Sequence, residues 1–388
     1  MTYCYQYIKS CIKSQVVAPT SKSYFVDKQL NCVCYKNAYV LPITTASGLR
    51  GGAVTHDGKE IKASSIQQLR GTYNFDGKEI LYGHKAILIA VFTTYTWGHC
   101  FTDHFSKLWF LKTKRYQELV NEGAEIIFIA TDNKRPPKYV CDLFRLAGLD
   151  LNSVKCVDKV TCYDELYIPD DSFFSGKEKE PRYYTKEYSE TINDVKNNVR
   201  LSGDNINITL YPKIYLTRTQ GKIFSSMLRD LGEKDIETVF KNLGYKIIAP
   251  ERHSVCEQIW LLMNCADLVT TEGSIAHTAV FCNSGTSLTL IRKCNWISMH
   301  QLVMNEVAKL NVTYVDAHYS CFCDKREPWH GPFLMCVTKD LEHYVGHKIF
   351  HLPIFANRYF WLYCIRELYV RTIRKFKFLD KIIKRILE

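Results

Sequence analysis

The sequence predicts an α/β protein with two doubly wound, Rossmann-like domains, and three features carry that prediction. Its 388 residues suit two domains of ordinary size. Hydrophobic residues make up 46% of the chain, with 20 Phe and 25 Tyr, so each half can bury a core. Short apolar runs alternate, in two separate series, with segments of helical length, which is the pattern of parallel sheets. A charged fraction of 23% without long polar tracts excludes a disordered chain.

The first series begins with a strand-like region, 32 to about 84, punctuated by turn signals at Gly48, Gly51-Gly52, Asp57-Gly58 and Asp76-Gly77. A buried strand follows over 85–93, then a helix over 100–121 that carries Phe101, Phe105, Leu108, Trp109 and Leu119 and stops at Gly123. A strand over 125–131, a helix over 138–146 closed by Gly148, and a strand near 154–157 complete it. The stretch 170–204 is polar, and the domain break is expected near its end. The second series predicts strands at 213–218, 245–250, 267–271 and 287–293, with helices at 233–243, 255–265 and 274–281. From 355 the chain is aromatic (Phe360, Trp361, Tyr363) and then basic, with Ile373, Phe376, Leu379, Ile382, Ile383 and Ile386 at helical spacing. The expected divisions are 1–205, 206–335 and a helical tail, 336–388. Two readings of that tail stand: packing back on the N-terminal domain, and contact with a membrane surface.

The formal charge of +11 attracts anions but does not choose among them. From Arg358 to Glu388 nine Lys and Arg oppose three acids, a surplus of +6, which leaves only +5 for the remaining residues. A nucleic-acid groove would spread its charge, so this distribution favours an anionic membrane surface and no nucleic acid. The N-terminus has no signal-like apolar run, and the expected location is cytoplasmic, peripheral at the inner face of the membrane. In a reducing compartment the 16 cysteines read mostly as small buried hydrophobes; Cys32-x-Cys34 and Cys321-x-Cys323 lack zinc spacing. No apolar run is long enough to span a bilayer.

Three segments carry candidate chemistry. In TTEGSIAH (270–277) a strand ends, Gly273 allows a sharp turn, Ser274 is the expected N-cap and His277 lies in the first helical turn. Such a turn offers backbone N–H groups to a diphosphate, or is an ordinary strand–helix connection. Arg218, just past its strand, points off the same kind of edge and can neutralise phosphate, unless it is simply a solvated arginine. Gly98-His99 opens a helix in which His99 and Asp103, four apart, share a face. Either suits a general base that takes a proton from an acceptor hydroxyl; the alternative is an Asp103–Lys107 surface pair.

Four segments in order over about 85–295 resemble glycosyltransferase family 61. They are GHCFTDHFSKLW, KIYLTR with RDLGEKDI, Pro250-Glu251 with Glu257-Gln258, and TTEGSIAHTAVFCNSGTSLTLI. The resemblance implies a GT-B type enzyme, two Rossmann-like domains facing across a cleft, that inverts the anomeric carbon. A nucleotide sugar, on the resemblance a UDP sugar, would be the donor, and a glycan or lipid-linked oligosaccharide of the cell surface, as in capsule or lipopolysaccharide, the acceptor. It implies Asp103 and His99 as catalytic residues and Arg218, Arg229, Gly273, Ser274 and His277 at the diphosphate. Glu251 and Glu272 are implied at the donor sugar or ribose, with no metal cofactor. Glu272 stands where the family has a loop histidine, and Ile275 where it has a small residue. A sugar-nucleotide epimerase and a catalytically inactive binding protein are the rival classes.

Overall fold

The computed structural model describes residues 5–7, 23–46, 48–66, 69–176, 181–203, 206–220, 230–294, 297–319, 331–351 and 353–371. These form a mixed α/β fold that divides into two compact units. One holds the described parts of Ser23–Ile208 and Ser254–Met263; the other holds those of Met1–Lys22, Thr209–His253 and Asn264–Glu388. In chain order the strands are β1 (Tyr5–Tyr7), β2 (Cys32–Thr44), β3 (Arg50–Val54), β4 (Leu81–Phe92), β5 (Glu125–Ala130), β6 (Lys155–Cys156), β7 (Thr161–Pro169), β8 (Phe173–Phe174) and β9 (Tyr183–Tyr184). They continue as β10 (Lys213–Leu216), β11 (Asp230–Leu231), β12 (Lys246–Ile248), β13 (Asp267–Thr271), β14 (Ser287–Arg292), β15 (Asn311–Asp316), β16 (His318–Tyr319) and β17 (Phe333–Met335).

The first unit is built on a six-stranded sheet in the order β3-β2-β7-β4-β5-β6. Its β7-β4-β5-β6 half is parallel, whereas β2 pairs antiparallel with both β3 and β7. The sheet is therefore mixed. Its core gathers alternate residues of the central strands, among them Ala38, Val40, Leu88, Ile127, Ile129 and Leu166. Helices Lys138–Leu146 and Lys186–Leu201 pack together, with Asn198 Nδ2 donating to the Leu146 carbonyl at 2.8 Å.

One expectation is corrected by the structure. The single helix expected over 100–121 is four short pieces: a helix at Trp97–Phe101, tight 3-10 turns at Asp103–Phe105 and Leu108–Lys112, and a helix at Lys114–Asn121. Thr102 interrupts it, turning its Oγ1 back to the Gly98 carbonyl at 3.0 Å. Lys107 is drawn inward to the Pro169 carbonyl and Asp171, and Thr113 caps the last piece by accepting from the Tyr116 N–H at 3.1 Å. The polar stretch 170–204 contains the helix Lys186–Leu201, whose buried stripe is Tyr188, Thr191, Ile192, Val195, Lys196 and Val199.

The second unit carries a fully parallel six-stranded sheet, β1-β15-β14-β13-β10-β12. From β10 the chain moves outward to β12, then crosses to the other side of β10 for β13, β14 and β15. Helix Glu233–Asn242 covers one face, its Ile236 and Phe240 meeting Tyr215, Val269, Ile291 and Val315. Fully burying a ring such as Phe240 contributes roughly 1.5–3 kcal/mol. A small sheet, β11-β17-β16, belongs to the same unit, and Tyr363 of helix Phe360–Arg371 packs on its Leu231 and Leu334. No helix among the described residues is long and apolar enough to cross a membrane.

Candidate functional site

In the second unit, β10 has β12 on one side and β13 on the other, so the crevice beyond their carboxyl ends is the topological switch point of a 2-1-3-4-5 sheet. Open α/β sheets bind ligands at such crevices because two connections leave in opposite directions and expose backbone groups between them. Arg218 leaves β10 there, and Gly273 leaves β13. Gly273 adopts φ 131°, a conformation that disfavours any side chain. A Cβ at this position would lie 3.6 Å from both Arg218 Nη1 and Lys293 Nζ. Two cations thus converge in front of one glycine.

A buried carboxylate organises them. Lys293 Nζ donates to Asp230 Oδ1 at 3.1 Å, and Arg218 Nη1 lies 3.6 Å from Asp230 Oδ2. The Arg218 backbone N–H donates to Glu233 Oε1 at 3.2 Å. Burial, reinforced by Asp230, pushes the Glu233 carboxyl up to about 7. Glu272, on the same turn as Gly273, is buried with neither oxygen hydrogen-bonded. Its burial outweighs the pull of Arg292 and Lys293 and lifts it to about 8, so it is mostly neutral at pH 7. Behind it, the fully buried Arg292 pairs with Asp316 and donates through Nη2 to the Cys294 carbonyl at 3.0 Å.

In the first unit, His99 Nδ1 and Asp103 Oδ2 are 2.7 Å apart. The Asp103 side chain is 4% exposed and that of His99 29%, so the carboxylate sits behind the ring. An ionised carboxylate only accepts, so this pairing suits the ring tautomer with hydrogen on Nδ1. His104 is buried beside them, with neither ring nitrogen hydrogen-bonded and its ring 4.8 Å from that of Phe92. Burial drives it down to about 3, against the pull of Asp103, and it stays neutral. Lys107 does not form the surface pair with Asp103: it is buried 2.7 Å from Asp171 Oδ1. Asp170 and Asp171 are engaged in this packing, the Trp109 indole donating to the Asp170 carbonyl at 2.9 Å.

The other sequence-derived residues fall as follows. Gly273, not Ser274, is the N-cap of helix Ser274–His277, and Ser274 is its first residue; the glycine's conformation ends the preceding turn one residue earlier than expected. His277 Nδ1 pairs with Gln301 Oε1 at 2.8 Å. Glu251 is exposed in the short turn Pro250–Arg252. Glu257 forms a capping box with Ser254, accepting from its N–H at 2.7 Å while its own N–H donates to Ser254 Oγ at 3.2 Å. Arg229 and the Cys321/Cys323 pair lie outside the described residues. None of the described cysteines is exposed. Among the described residues no three His, Cys, Asp or Glu side chains gather to hold a metal. The sequence reading missed Asp230, Glu233, Lys293 and His104. Asp230 and Glu233 lie in RDLGEKDI and His104 in GHCFTDHFSKLW, and Lys293 is a basic residue just past a strand end, as Arg218 is.

Two cations facing a glycine turn in one unit, and a histidine–carboxylate pair in the other, are arrangements that group-transfer chemistry can use. The family comparison makes this specific: residues 97–289, about half the chain, match the family model for Glycosyltransferase 61. The chain belongs to glycosyltransferase family 61, and the protein is a glycosyltransferase that takes a sugar donor and a glycan acceptor. No curated protein matches it. The matched stretch begins beside His99, contains the Arg218 and Gly273 turns, and ends four residues before Lys293.

Proposed function

We propose that the protein is an inverting GT-B type glycosyltransferase, with the unit built on β3-β2-β7-β4-β5-β6 as the acceptor side and the unit built on β1-β15-β14-β13-β10-β12 as the nucleotide-sugar side. The observation that carries this reading is the meeting of Arg218 and Gly273 at the switch point, which suits the diphosphate of a nucleotide sugar, with Ser274 and His277 on the helix that follows. Glu272 does not repel that diphosphate, because burial keeps it largely neutral. Arg229 and Glu251 remain candidates on the family resemblance alone.

In the reaction an acceptor hydroxyl oxygen attacks the anomeric carbon, and the bond from that carbon to the diphosphate oxygen breaks. The hydroxyl proton passes to Nε2 of His99, while Asp103 orients the ring and stabilises the imidazolium that forms. The burial of Asp103 behind the ring supports histidine as the base and the carboxylate as its partner, one of the two assignments open in the sequence. Negative charge accumulating on the leaving diphosphate is met by Arg218. A single displacement inverts the anomeric carbon, and no metal is required in this scheme. The donor is a UDP sugar and the acceptor a glycan or lipid-linked glycan of a cell-surface polysaccharide. The basic tail from Arg358 holds the enzyme at the inner face of the cytoplasmic membrane.

A panel of nucleotide sugars tested for thermal stabilisation checks the donor. A ligand at a hundred times its Kd stabilises by about 2.7 kcal/mol. UDP sugars should raise the melting temperature and undergo slow hydrolysis without interconversion. Interconversion without transfer would identify an epimerase, and a panel in which nothing binds would refute the donor site.

A further inference from the structure

We propose that Lys293 is a second cation for the donor's diphosphate, held ready beside Arg218 by the carboxylate of Asp230. This rests on the donor-site reading above and adds a residue beyond the matched family stretch. In the sheet β13 lies between β14 and β10, so Lys293 and Arg218, each just past the carboxyl end of its strand, flank the Gly273 turn. Pairing of β11 with β17 sets Asp230 opposite Phe333, and Lys293 Nζ touches both: 3.1 Å from Asp230 Oδ1 and 4.8 Å from the centre of the Phe333 ring. The other oxygen of Asp230 faces Arg218 Nη1, a buried donor with no hydrogen bond.

One carboxylate therefore aims two cations at the space that a side chain on Gly273 would fill, 3.6 Å from each. A phosphoryl oxygen seated over the glycine reaches both. The ammonium has three donors, so it can keep Asp230 and still bond phosphate, while the guanidinium offers a planar fork. Asp230 is then a positioning residue that also competes with the incoming anion. Asparagine at this position keeps an oxygen for Lys293 and loses the competing charge, so Asp230→Asn and the removal of Lys293 act in opposite directions on anion affinity, which a purely structural ion pair does not predict.

Inorganic pyrophosphate and UDP, titrated calorimetrically into the full-length chain and its variants, test this. Lys293→Met should weaken pyrophosphate binding about ten- to a hundredfold, with Lys293→Arg restoring part of it. Asp230→Asn should tighten pyrophosphate binding. Unchanged affinity in folded Lys293→Met, while Arg218→Ala still weakens binding, overturns the role of Lys293 and leaves the donor site standing. Unchanged affinity in all the variants overturns the donor site itself. If Lys293→Met does not fold, Asp230→Asn decides: tighter binding supports the proposal and weaker binding overturns it.

Discussion

The two units bury ionisable groups beside their candidate sites with opposite chemistry. In the first, a base is hidden: His104, packed on Phe92, is held neutral down to about pH 3 next to the His99–Asp103 pair. In the second, acids are hidden: Glu272 and Glu233, at about 8 and 7, surround the pair of cations on Asp230. Each arrangement removes charge that would oppose the function proposed for the neighbouring residues. A protonated His104 would stabilise Asp103 but disfavour a proton arriving on His99, and an ionised Glu272 would repel a diphosphate. The same device, burial of an ionisable side chain, stands beside the proposed proton-transfer pair in one unit and the proposed anion site in the other.

Substitutions at the two clusters test this contrast. The largest effect is expected at the proton-transfer pair: Asp103→Asn or His99→Ala should slow turnover about 10²–10⁴-fold. The asparagine amide would donate to Nδ1 and leave the proton on Nε2, so the ring could no longer act as a base. A double variant should lose little beyond either single one, since the two act as a unit. Normal turnover in His99→Ala with a dead Asp103→Asn would make the carboxylate the base. Arg218→Ala comes next, with donor affinity reduced by about 1.5–3 kcal/mol in calorimetry.

The hidden groups predict opposite pH limbs. The raised carboxyl of Glu272 contributes stability that is complete below about pH 4.5 and lost as pH rises towards 8. The depressed imidazole of His104 contributes stability that is complete above about pH 6.5 and lost as pH falls towards 3. Glu272→Gln should therefore flatten the alkaline limb in the second unit by a few kcal/mol, since each tenfold change in proton affinity on folding corresponds to about 1.4 kcal/mol. His104→Phe should flatten the acid limb in the first. Hydrogen exchange followed by mass spectrometry across pH assigns each limb to its unit, and both limbs in one unit would refute the contrast. The smallest effect on chemistry is expected from removing 370–388. Turnover of a soluble donor should not change, while co-sedimentation with anionic vesicles should fall, at roughly 1 kcal/mol per basic residue near the surface. Full-length protein that never co-sediments would refute membrane contact.

Four strands of the second unit, β10, β12, β13 and β14, were legible because fully buried parallel strands read as continuous apolar runs, and β13 falls at its expected residues, whereas β1 and β15 of the same sheet were not expected. In the first unit β7 escaped notice because Asp164 and Glu165 interrupt its pattern. The structure shows them answered by His84 and Lys36 on the neighbouring strands. Helix Lys186–Leu201 was hidden by its polar surface and by Thr191 and Lys196 in its buried stripe. Of the candidate site, Arg218, Gly273, His99 and Asp103 could be read from strand ends and helical spacing. Asp230 and Lys293 could not be joined, since their pairing depends on β11 and β17, two short strands brought together from distant parts of the chain.

Donor-binding isotherms of Asp103→Asn and Arg218→Ala, run in parallel with turnover, test whether the two clusters divide proton transfer from donor binding. The predicted result is wild-type affinity with almost no turnover for Asp103→Asn, and weakened affinity for Arg218→Ala. Loss of donor binding in folded Asp103→Asn, or wild-type binding in Arg218→Ala, would contradict it.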